Sequence, residues 1–239
     1  PPTAPTASIS MRVLLPTLLL ALALPTVAQD ALPAVHVEGN RFVDDAGETV
    51  VFRGVSIADP DKLEAEGQWS PALFDELADW GANVVRLPVH PRAWRSRGEA
   101  GYLALLDEAV AWAEAAGLYV VIDWHSIGNL RTEVFQHPMY ETSKGETARF
   151  WRTVSQRYAG TSTVAFYELF NEPTSYNGTL GRLSWHEHRE MMEDLIVAGV
   201  NKAMEEAEAV RQRKVQEAAT SMLPPGLDLG SLGGGFPGV

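Results

Sequence analysis

The sequence predicts an α/β fold of the (β/α)8 TIM-barrel type, truncated to about four βα units and followed by a long helix and a disordered tail. Two features carry that reading. From residue 53 to about 196, apolar strand-like runs alternate with amphipathic stretches at helical spacing, the pattern of a parallel sheet with covering helices. Each βα unit takes about 36 residues, so eight would fill close to the ~250 typical of a complete barrel. Only four fit before the pattern changes.

The elements follow in order. Residues 35–57, "VHVEGNRFVDDAGETVVFRGVSI", alternate apolar and polar side chains around "GN" and "DDAG" turn signals, giving short β-hairpins. Residues 53–57 form the first parallel strand and lead into a polar loop. "SPALFDELADWG" (70–81) has a Ser N-cap, proline at the first helical position and a closing Gly81. "ANVVRLPV" (82–89) is the second strand. "EAGYLALLDEAVAWAEAAG" (99–117) is a helix stopped by Gly117. "LYVVIDWH" (118–125) is the third strand, apolar on both parities and so buried on both faces. A helix over 144–160, a fourth strand over 163–173 ("TVAFYELFNEP") and a fourth helix capped by Ser184 complete the series.

Composition narrows the function classes. At 46% hydrophobic and 21% charged, the chain is an ordinary globular protein. Its net charge of −12 argues against general nucleic-acid or anionic-membrane binding, since both want a basic face. There are no cysteines, so disulfides and thiolate metal sites are excluded. Residues 1–28 read as a few upstream residues and a signal peptide: Arg12, an apolar run over 13–24, then "PTVA" with cleavage after Ala28. That run is too short to read as a membrane span. The mature chain is expected to be secreted or periplasmic, without stable membrane insertion.

Polar residues interrupt the buried strands near their C-terminal ends, where chemistry collects in parallel βα arrays. They are Arg86 on the second strand, Asp123, Trp124 and His125 on the third, and Asn171 and Glu172 on the fourth. A carboxylic acid able to protonate a leaving oxygen, with an amide and a His to hold hydroxyls, suits glycoside hydrolysis. Structural alternatives stand beside each assignment. Glu172 could cap the following loop, His125 and Asn171 could satisfy local backbone groups, Arg86 could be an ion-pair partner, and Trp124 could pack. Glu168 reads as a packing residue or half of an internal ion pair. His186 and His188 form an H-x-H pair without a third ligand, so no metal site is expected there, and no cofactor is expected.

"VVRLPV", "VVIDWHS" and "YELFNEP" resemble the strand-two, strand-three and strand-four motifs of glycoside hydrolase family 5, the cellulase-like retaining β-glycanases. The resemblance covers about residues 35–189 and includes the opening hairpin. It implies that Glu172 is the general acid/base and that Asn171 holds the sugar 2-hydroxyl. It also implies that His125 is a hydrogen-bonding group on the substrate side and that Arg86 contacts the nucleophilic carboxylate; Trp124, beside His125, is a further substrate-binding candidate. The expected activity is hydrolysis of β-linked polysaccharides of the endo-β-1,4-glucanase type. Family members carry the nucleophile, a second Glu, near the end of strand seven, and this chain shows no strands five to eight. Without that carboxylate, Arg86 is expected to pair with Glu172.

Residues 190–239 read as a separate segment, a helix to about Met222 and then a Pro/Gly-rich tail. "EMMEDLIVAGVNKA", "RQRKVQEAATSM" and "LPPG" resemble the C-terminal helix and tail of the YbaB/EbfC nucleoid-associated proteins. This suggests two truncated genes joined near Glu190, and with it an alternative role as a non-enzymatic interaction protein. From Glu187 onward there are nine Asp and Glu against five Lys and Arg, which does not favour DNA. The expected partners are a polysaccharide substrate and, through the open sheet edge or the tail helix, a second copy of the chain.

Overall fold

The computed structural model describes residues 31–176, 180–181 and 185–201, together with residues 209, 212 and 213. The chain divides into two units, residues 1–30 and 31–239. The signal-peptide assignment and most of the tail lie outside the described residues.

An antiparallel sheet opens the second unit: β1 (Val35–Glu38), β2 (Arg41–Asp44) and β3 (Thr49–Val50). The "DDAG" turn closes as the sequence suggests, with Asp44 Oδ1 accepting the Ala46 and Glu48 amides at 2.9 Å each. Next come β4 (Gly54–Ser56), α1 (Pro60–Ala65), α2 (Pro71–Asp79), β5 (Val84–Val89), α3 (Pro91–Arg97) and α4 (Glu99–Ala116). Then follow β6 (Tyr119–Trp124), β7 (Ile127–Asn129), β8 (Val134–Phe135), a 3₁₀ turn (Pro138–Tyr140), α5 (Lys144–Tyr158) and β9 (Val164–Glu168). The short β10 (Glu172–Pro173), β11 (Ser175–Tyr176) and β12 (Leu180–Gly181) precede α6 (Trp185–Leu195), which runs into a π-helical turn (Ile196–Asn201).

β4, β5, β6 and β9 form one parallel sheet in that spatial order, which is also their order in the chain. These are the four strands that the βα periodicity predicts. Side-chain alternation sorts their faces. Val85, Leu87 and Val89 of β5 and Val120, Ile122 and Trp124 of β6 point into a core shared with the helices. Arg86 and Asp123 take the opposite parity. Gly54 is required at the head of β4, because a Cβ there would stand 1.7 Å from the Val84 carbonyl oxygen.

Several expectations need correction. The loop after β4 contains α1, started by the side chain of Asp59, which accepts the Asp61 amide. A second short helix, α3, follows β5 with Pro91 in its first turn. Ser70 stands at the N-cap of α2 but makes no side-chain capping bond. Ser143 does cap α5, accepting the Glu146 amide. The fourth strand ends at Glu168, and Glu172 belongs instead to β10, which pairs in parallel with β7. Helix α6 crosses residue 190 without interruption, and Met191, Leu195 and Val200 are buried in the same core as the barrel strands. The packed structure therefore continues past the boundary expected at residue 189.

Candidate active site

Arg86 sits inside β5, three residues before its end, and reaches towards the rim with its long side chain. Its guanidinium organises the site. Nε donates to Glu168 Oε2 at 2.6 Å and Nη2 to Glu168 Oε1 at 2.9 Å, a bidentate fork. Nη2 also meets Asn171 Oδ1 at 2.7 Å and Asp123 Oδ2 at 2.8 Å, and Nη1 donates to Ser56 Oγ at 3.1 Å. The hydrogen bond to Glu168 holds Arg86 above its ordinary pKa range, with the charges of Asp123, Glu168 and Glu172 assisting against the cost of burial. Arg86 pairs with Glu168 and Asp123; the expected direct pairing with Glu172 is replaced by these contacts. Glu168 is an internal ion-pair partner, as its sequence position suggested.

Asn171 presents its carbonyl oxygen to Arg86, which leaves its NH₂ as the group available to a ligand. Its own amide donates to Trp124 O at 3.3 Å, and that of Glu172 to Ser126 O at 3.0 Å. The two residues are thereby laid along the 125–129 segment. On the other side of this segment Gly128 lets β8 come close: its φ is +155°, and a Cβ would lie 2.6 Å from the Val134 carbonyl oxygen. Glu172 is exposed to solvent.

His125 Nδ1 lies 2.6 Å from Asp123 Oδ2, and the ring is partly exposed. Asp123 is fully buried. Burial pushes its pKa up, and the His125 bond and the Arg86 charge only partly oppose this. The folded chain therefore holds this proton at pH values where the unfolded chain has released it. Asp123 contributes stability that is fully present below the ordinary Asp pKa of about 3.9 and is lost as pH rises through the folded-state value. Urea midpoints measured from pH 4 upward are expected to fall more steeply for the native chain than for Asp123→Asn. Parallel pH curves for the two proteins would contradict this assignment.

Trp124 is a correction. It is fully buried, its ring centroid 4.2 Å from that of Phe150, and its Nε1 donates to Thr147 Oγ1 at 3.2 Å. It shares the core-facing parity of Val120 and Ile122, so it packs and does not face a substrate. His186 bonds Glu190 one turn along α6 at 3.2 Å.

The structure adds groups that the sequence reading passed over. Asp59 after β4 and His90 after β5 stand on the same rim, His90 Nδ1 lying 2.7 Å from Asp59 Oδ2. The His90 ring meets that of His125 edge to face at 4.8 Å, and Tyr140 lies 5.7 and 5.9 Å from the two. The only signal for His90 was its place directly after a buried strand.

Comparison with known proteins identifies the family. The model of the cellulases, glycosyl hydrolase family 5, matches residues 43–212. Endoglucanase N of Pectobacterium atrosepticum is 27% identical over 179 residues, covering 69% of this chain and 36% of that protein. Endoglucanase E-5 of Thermobifida fusca is 29% identical over 170 residues, covering 68% and 31%. Among solved structures, the β-glucanase SdGluc5_26A of Saccharophagus degradans superposes with a TM-score of 0.68 at 50% identity, covering 71% of this chain and 51% of that one. The chain thus spans about a third of the curated relatives and half of that structure. A family model that matches residues 43–212, well over half of this chain, means that the chain belongs to glycosyl hydrolase family 5.

Proposed function

We propose that this chain is the first half of a retaining β-glucanase barrel, acting on O-glycosidic bonds of β-1,4-linked glucan or a related polymer. The observation that carries the reading is the Arg86 network. One guanidinium ties Glu168, Asp123 and Asn171 together at the strand ends, and Glu172 follows Asn171 directly. In this reading Glu172 protonates the leaving oxygen, the Asn171 NH₂ donates to the sugar 2-hydroxyl, and His125 Nε2 accepts from a neighbouring hydroxyl. The β-glucanase of S. degradans has been solved with cellotetraose, which supports an extended β-glucan as the ligand class.

Retaining hydrolysis also needs a nucleophilic carboxylate about 5–5.5 Å from the acid. Neither neighbouring carboxylate fits that role. Both oxygens of Glu168 accept from Arg86, and Asp123 is wholly buried. The purified chain is therefore expected to bind cello-oligosaccharides and to hydrolyse soluble cellulose or mannan no faster than its Glu172→Gln variant. Turnover that disappears in that variant would reveal a second carboxylate and overturn the half-site reading. Failure of the chain to bind any β-glucan oligosaccharide would overturn the function itself.

Export to the periplasm or beyond rests on the apolar run over residues 13–24. Among the described residues, no helix is long and apolar enough to cross a membrane. Self-association through the outer strand β4 is supported by the exposure of Val55 on that strand. The alternative of a YbaB/EbfC-like interaction helix rests on the sequence resemblance of residues 190–226. Up to Val200 that segment is engaged in the barrel core.

A further inference from the structure

Asp59 is 3% exposed, and both its oxygens are engaged. Oδ1 takes the Asp61 amide at 2.8 Å and the Tyr102 hydroxyl at 2.8 Å. Oδ2 takes the His90 amide at 2.8 Å and faces His90 Nδ1 at 2.7 Å. A carboxylate this committed to accepting leaves Nδ1 as the protonated nitrogen of the neutral ring. The lone pair of His90 therefore lies on Nε2, which has no hydrogen-bond partner among the described residues. Capping α1 and bonding Tyr102 require only Oδ1; Oδ2 is given over to orienting His90.

The same device recurs on the next strand, where Asp123 Oδ2 holds His125 Nδ1. Two carboxylate-oriented imidazoles thus stand side by side along the rim, one after β5 and one after β6. Their centroids are 4.8 Å apart, close to the advance of one sugar unit along an extended β-linked chain. Beyond His90, a cleft of about 220 Å³ opens between α1, α3 and the 3₁₀ turn. Lys62 and Arg92 supply donors at its wall, and Met139 supplies an apolar surface.

We propose that Asp59 and His90 form a second hydroxyl-binding dyad, which holds in this cleft the sugar unit next to the one at His125. The proposal rests on the β-glucan reading above and adds to it the residue that recognises one further unit. Two bonds define it. His90 Nε2 accepts from a sugar hydroxyl, and Asp59 keeps that lone pair outward by holding Nδ1–H.

The test uses the full chain and cello-oligosaccharides of two, three and four units. By calorimetry, affinity is expected to rise by about tenfold at the length that first reaches His90, the return of one well-placed hydrogen bond. His90→Phe keeps an aromatic ring against His125 and Tyr140, and it is expected to abolish that increment. His90→Gln places an amide near the Nε2 position and is expected to restore part of it. In the unmutated chain, the imidazole ¹⁵N resonances of both His90 and His125 are expected to shift on adding cellotetraose, which requires no variant to fold. A shift at His125 alone, or an increment that survives in His90→Phe, would overturn this proposal and leave the glucanase reading standing. If no oligosaccharide binds, the glucanase reading fails and the dyad's assignment falls with it.

Discussion

Replacing Arg86 by alanine is expected to destabilise the chain by about 3–5 kcal/mol at neutral pH, the cost of removing one partner from a buried ion pair. The loss falls chiefly on Asp123, which has no exposed surface and whose Oδ1 has no hydrogen-bond partner among the described residues. Without the guanidinium, its carboxylate keeps only the His125 contact at Oδ2. Glu168 is partly exposed and can recover some solvation, so it contributes less. Against a total stability of about 5–15 kcal/mol, such a loss is large. Protonating Asp123 relieves the uncompensated charge, so the deficit should shrink in urea titrations near pH 4. Arg86→Lys keeps the charge but loses the fork, and should fall between the two. A neutral-pH deficit below about 1 kcal/mol, the scale of an exposed pair, would show that the network is solvated and peripheral.

Trp124→Ala should cost a similar amount, about 3–5 kcal/mol, for a different reason. The ring fills space between Phe150 and Trp94, whose centroids lie 4.2 and 6.4 Å away, and removing it leaves a cavity in a close-packed region. Trp124→Phe should lose less, giving up the bond to Thr147 and part of the volume. Oligosaccharide affinity should be unchanged in Trp124→Phe once the protein is folded, because the ring faces the helices. Weakened sugar binding without loss of stability would restore Trp124 to the substrate side.

Much of the fold was legible because its elements are periodic. Strand runs such as "VVRLPV" and helices such as 99–116 carry their signals in every residue, and the parallel order follows from their alternation with helices. What escaped were short or composite features. α1 and α3 span 6 and 7 residues, too few for a helical period to declare itself, and each is marked only by a proline in its first turn. Trp124 was misread because it lies between Asp123 and His125, although its parity with Val120 and Ile122 already placed it in the core. Arg86, Asn171 and Glu172 stood out as polar residues in apolar runs. Asp59 and His90 lie in segments of mixed polarity, and only their pairing across 31 residues of chain distinguishes them.

The coincidence of spatial and chain order in the β4–β5–β6–β9 sheet has a bearing on how the chain is made. During synthesis each new strand emerges next to a neighbour that is already present, so no pairing within this sheet has to wait for a distant partner. The charges meet in a matching sequence. Arg86 arrives with β5, Asp123 joins it from β6, and Glu168 arrives with β9. The cation precedes both anions, and neither carboxylate enters the growing sheet before its counter-charge is in place.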